Sequence, residues 1–107
     1  MFQLKEKNVV WWPVVISEPV NDGQVVEHGC SMELEILTQA QYDELALKGD
    51  IAVIRKALRG WRDVSGVDGQ ALAFNEDNVE ALLALPFVRR CILNAYHSAA
   101  VGAPVKN

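Results

Sequence analysis

Residues 8–16, NVVWWPVVI, set β-branched and aromatic side chains on both faces of an extended backbone, and this predicts a strand. Trp11 and Trp12 are adjacent, so they point to opposite faces and one of them must leave the inner face. Pro13 has no N–H for a ladder and belongs on an edge or at a bulge. Asn21-Asp22-Gly23 is a turn signal, with Gly23 supplying positive φ. The longest alternation in the chain follows: Val26, His28, Cys30, Met32, Leu34 and Ile36 share one face, while Glu27, Ser31, Glu33 and Glu35 share the other. It predicts a half-buried second strand, antiparallel to the first, with Gly29 as a candidate bulge. A hairpin alone is marginal in water, so its apolar face requires a cover.

Beyond residue 37 the period changes. Thr38-Gln39-Ala40-Gln41 has the form of a capping box opening a short helix through about Leu47, which Gly49 ends. Asp50 is placed to cap a second helix, in which Ile51, Ile54, Leu58 and Trp61 recur at three- and four-residue spacing. Arg55, Lys56, Arg59 and Arg62 form a basic stripe on its other side. Such a stripe is most often a solvated face, and alternatively a docking strip for an acidic partner. Ser65–Gly69 predicts a tight loop. Phe74 precedes Asn75, which caps a third helix, and Glu76 and Asp77 complement its dipole. Pro86 ends that helix and opens a fourth, where Val88, Cys91, Ile92, Ala95, Tyr96 and Ala99 form one apolar stripe. Residues 102–107, GAPVKN, read as a frayed tail. The fold class is therefore α+β: one domain over residues 1–107, with an antiparallel hairpin (1–37), about four short helices (38–101) and a tail.

Half of the 107 residues are hydrophobic and 22% are charged, the balance of a folded chain. No apolar run approaches the roughly 20 residues of a membrane span, and the N-terminal stretch lacks a signal-peptide pattern, so a cytoplasmic protein is expected. A net charge of −4 argues against nucleic acid as the main partner. Residues 1–50 hold three basic and nine acidic residues, against seven and five over residues 51–107. That asymmetry would favour head-to-tail self-association.

Catalytic chemistry is thinly represented. His28 and Cys30 share a strand face, which makes a Cys-His pair or a metal site conceivable with His97 and Cys91 as distant additions. A core histidine and buried free thiols are the weightier reading, because the spacing matches no finger or ribbon. There is no phosphate-binding GxxxxGK[ST], GxGxxG or GxSxG pattern. Glu33 and Glu35, two apart on a strand, read as solvent-facing solubility. No catalytic residue, cofactor or metal is expected.

Three segments together resemble the tail assembly chaperones of long-tailed bacteriophages and prophages: VVISEPVNDGQVVEHGCSMELEILTQAQYDEL, VIRKALRGWRDVSG and LAFNEDNVEALLALPFVRRCILNAY. They cover nearly the whole chain, and the likeness lies in their order and spacing. The resemblance implies a non-enzymatic protein that coats the long helical tape measure protein, recruits tail tube subunits and self-associates. It also implies, in many members, a longer form made by frameshifting, for which Lys106-Asn107 is the place to look. Partner-binding candidates are Trp11 or Trp12, the aromatics Trp61, Phe74, Phe87 and Tyr96, and the basic residues Arg55, Arg59 and Arg62. The alternative functions are a homo-oligomeric adaptor of a phage tail or neck, and an enzyme using His28 and Cys30.

Overall fold

A computed structural model describes residues 1–105; Lys106-Asn107, the place to look for a frameshifted form, lies outside the described residues. Strand β1 (Asn8–Pro19) and strand β2 (Val25–Ile36) form the hairpin. Helix α1 (Gln39–Ala46), helix α2 (Asp50–Ala57), strand β3 (Leu58–Arg62), helix α3 (Glu76–Leu83) and helix α4 (Pro86–Ala100) follow. The sheet order is β1-β2-β3, antiparallel throughout, so β2 is central.

The hairpin pairs from Asn8↔Ile36 to Pro19↔Val25 in one unbroken register. Gly29 is therefore no bulge; it simply opposes Val15. The turn uses Asp22 at φ 64° and Gly23 at φ 71°, a left-handed pair that aspartate and glycine tolerate best. Ser17 donates its backbone N–H to Cys91 Sγ on α4, so it points away from β2. Backbone direction alternates along a strand, so Val15, Pro13, Trp11 and Val9 face the same open edge. The missing N–H of Pro13 thus removes nothing from the ladder.

One core joins the inner sheet face to the helices. Val14, Met32 and Leu34 meet Val53, Ile54 and Ala57 of α2, Leu83 of α3, and Val88, Ile92 and Tyr96 of α4. The fourth-helix stripe is buried at those three positions, and Cys91, Ala95 and Ala99 flank them half-buried. Capping follows the sequence closely. Thr38 Oγ1 accepts from the Gln41 N–H, and Gln41 Oε1 accepts from the Thr38 N–H, completing the box. Asn75 Oδ1 accepts from the Asn78 N–H, and Leu85 is extended (φ −92°, ψ 114°) ahead of Pro86. The cap of α2 differs from expectation: Gly49 is the N-cap and Asp50 lies in the first turn. The expected fraying from Gly102 is also corrected at its start. Gly102 at φ 68° donates to Ala99 O and Ala103 donates to Ser98 O, a Schellman stop.

The main correction concerns the second helix. It stops at Ala57 instead of running to Trp61, and Leu58–Arg62 pair with β2. Gly60 is a poor helix residue, and the far edge of β2 carries backbone groups that only another strand satisfies. The register breaks between Glu33 and Leu34, where Glu33 opposes Gly60 and Leu34 opposes Leu58. Arg59 is the extra residue, and the bulge keeps both Leu58 and Trp61 buried. The basic stripe is thereby dispersed.

Two outcomes test this packing. The Tyr96 hydroxyl accepts the buried Leu37 N–H at 3.1 Å, and burial holds the Tyr96 phenol above its ordinary pKa, so it stays neutral. Tyr96→Phe keeps the ring and orphans that donor; denaturant titration should show a loss of about 1–3 kcal/mol. Arg55 donates twice to Glu80, at 2.6 and 2.7 Å, tying α2 to α3. The hydrogen bond from Arg55 lowers the pKa of the Glu80 carboxyl. The stability this adds is present above the ordinary carboxylate pKa and is lost as pH falls through the lowered value. Melting temperatures of wild type and Glu80→Gln should therefore differ most at neutral pH and converge in acid; a constant gap would contradict the linkage.

Candidate functional site

The pleat sorts the tryptophan pair. Trp12 turns inward and is half-buried against the core, its indole N–H enclosed without an acceptor among the described residues. Trp11 turns to the outer face and stays 38% exposed. Trp11 opposes Glu33, and Glu33 opposes Gly60, so the three lie in a row across the sheet. The indole reaches over β2 as far as β3: a Cβ added at Gly60 would stand 3.5 Å from Trp11 Cη2 and 3.5 Å from Glu33 Oε1, in ordinary contact. The Arg62 guanidinium carbon lies 3.7 Å from the centroid of the Trp11 ring, a cation–π stack that restrains the indole. Val9, Pro13 and Val15 continue the outer row along β1, all exposed.

Beside this row sits an ion pair that the alternation of strand β2 does not reveal. Glu35, expected in solvent, is 3% exposed, and its Oε1 accepts from Arg59 Nη1 at 2.6 Å. The bulge at Arg59 brings the two together. Glu33 stays half-buried, so only one of the two carboxylates is solvent-facing in any degree.

The other proposed residues are distributed. Arg55 is held by Glu80. Trp61 is buried, its Nε1–H donating to Leu72 O at 2.7 Å, and Phe74 packs edge-on against it with centroids 4.8 Å apart. Tyr96 is core, stacked on Tyr42. Phe87 lies elsewhere, in a cleft of about 380 Å³ between the hairpin's distal half, the loop after β3 and the α3–α4 junction. Ile16, Leu82, Leu85, Phe87 and Val88 form its apolar wall, and Glu18, His28 and Asp63 its polar rim. Asp63 is fixed in the left-handed region at φ 62°. The sequence reading missed Ile16, Glu18, Asp63, Leu82 and Leu85, since they come from separate elements. The one local signal was a glutamate placed two residues beyond an apolar strand position, on the same face.

His28 and Cys30 both line the cleft, but His28 is engaged with Glu18 at 2.9 Å. Burial, then Asp63, then Cys91 push the Cys30 thiol above its ordinary pKa, so it remains protonated at neutral pH, the opposite of an activated thiolate. Cys30 and Cys91 are both free. Among the described residues no group of three or more His, Cys, Asp or Glu is placed to hold a metal ion.

Removal of Arg59 tests the buried pair. Arg59→Ala leaves Glu35 enclosed without its partner; the loss should reach roughly 2 kcal/mol, below the 3–5 of a fully buried pair because Arg59 itself is 45% exposed. Arg55→Ala, at the exposed Glu80 pair, should shift the same denaturant midpoint far less. Comparison with protein-family models, with curated protein sequences and with solved structures finds no match for this chain.

Proposed function

We propose that this chain is a non-enzymatic, tail assembly chaperone-like protein of a bacteriophage or prophage, acting in the cytoplasm of the bacterial host. Its client is the tape measure protein, and it brings tail tube subunits to that client. The resemblance of its three sequence segments supplies the identity of the client. The observation that carries the reading is the outer row Val9, Trp11, Pro13 and Val15, contiguous, apolar and open along one face of β1. An apolar stripe on a rigid sheet suits the apolar face of an amphipathic helix, the dominant feature of a long helical client. The stack with Arg62 restrains the Trp11 ring, which lowers the ordering cost of packing against it. No helix among the described residues is long and apolar enough to cross a membrane. The adaptor reading draws on a different feature, the open edge of β1, where N–H groups of Val9, Trp11 and Val15 face away from β2 and could extend a sheet between subunits.

Co-expression with the tape measure protein tests the proposal. Wild type should hold the client soluble and co-purify with it. Trp11→Ala, which also removes the packing of an indole only 38% exposed and is therefore compared with wild type at equal folded fraction by circular dichroism, should lose most of the co-purified client. Equal recovery with the variant, or none with wild type, refutes the chaperone reading.

A further inference from the structure

The first seven residues raise a question the outer face does not answer. All of them are exposed, and Phe2 and Leu4 keep 85% of their surface open, with Lys5 and Lys7 immediately after. Two large apolar side chains held off the body gain nothing in this chain alone. The cleft at the far end of the hairpin has complementary properties. Its wall is apolar, its rim carries Glu18 and Asp63, and at about 380 Å³ it has room for one or two large side chains rather than the face of a long helix. The arm carries Lys5, Glu6 and Lys7, a net positive charge, against two carboxylates on the rim.

We infer that the cleft receives the N-terminal arm of a second copy of this chain, with Phe2 and Leu4 against Leu82, Leu85 and Phe87, and with Lys5 and Lys7 at Glu18 and Asp63. The arm cannot fill the cleft of its own chain. The lysines set the limit: Lys5 stands three residues before Asn8, a backbone reach of ~11 Å, whereas Glu18 lies ten residues along β1 in the opposite sense, ~33 Å beyond Asn8, too far even with the lysine side chain extended. The contact is therefore between copies: reciprocal exchange of arms closes a two-fold dimer, and one-way exchange, arm of one to cleft of the next, propagates into a ring or a filament. It uses neither the Trp11 row nor the client, and so stands independently of the chaperone reading.

Sedimentation of the isolated full-length chain over a concentration series tests this. Wild type should exceed the mass of one chain as concentration rises, and less so at high salt. An arm variant, Phe2→Asp with Leu4→Asp, and a rim variant, Glu18→Lys with Asp63→Asn, should each keep the wild-type circular dichroism and weaken association at least about tenfold. The decisive result is their equimolar mixture: an intact cleft then meets an intact arm once, giving a two-chain species and nothing larger. Trp11→Ala should associate like wild type. A wild type that stays one chain throughout, an arm variant that associates undiminished, or a mixture that remains single chains overturns the inference.

Discussion

Covering one face of a hairpin of two twelve-residue strands is the requirement on which this structure rests. Two paired strands cannot hold themselves together in water. Here their inner side chains, Val14, Met32 and Leu34, are sealed by Ile54 from α2 and by Val88, Ile92 and Tyr96 from α4. Everything else adjusts to that contact. The fourth helix lies along β1 and reaches its open edge at Ser17, while the third strand completes the far edge of β2. The cover is partial. It seals the hairpin's base and leaves Val20, Val25 and Val26 at the tip in solvent.

A sheet covered on one side has a second side, and the pleat decides what stands there. Trp11 goes out because Trp12 goes in. The outer surface is then arranged by the third strand: the indole reaches across to Gly60, Arg62 stacks on it, and Arg59 neutralises a carboxylate that would be untenable if enclosed alone. The arginines expected as a docking strip are thus spent within the chain, one on Glu80, one on Glu35 and one on an aromatic face. Two of the apolar surfaces left open to other molecules are the outer row of β1 and the cleft beside Phe87.

Those two places differ in shape, and the proposed roles follow the difference. The flat outer row of β1 suits an extended apolar stripe, whereas the acid-rimmed cleft suits a short basic arm with one or two large side chains. Separate surfaces would let copies of the chain link to one another while each still holds a client. Within the cleft His28 is held by Glu18, and the Cys30 thiol is kept protonated by burial and by Asp63.

Local interactions were legible in the sequence. The Thr38 box, the Asn75 cap, the Asp22-Gly23 turn, the break at Leu85-Pro86, the alternation of β2 and the opposed tryptophans each depend on residues within a few positions of one another. The third strand was not legible. Ile51, Ile54, Leu58 and Trp61 satisfy a helical period, and Gly60 alone weighs about 1 kcal/mol against a helix, too little to overrule it. What overrules it is the set of unpaired backbone groups on β2, which lie some thirty residues earlier. The burial of Glu35 depends on a bulge that exists only once that strand has docked, and the cleft depends on Ile16, Asp63 and Leu82 arriving from different elements. Sequence alone determined the hairpin, its two faces and the ends of helices α1, α3 and α4, because these are short-range matters of backbone geometry and capping. Tertiary structure decided the third strand, the enclosed ion pair and the cleft, because their energy comes from groups that meet only when distant parts of the chain pack together.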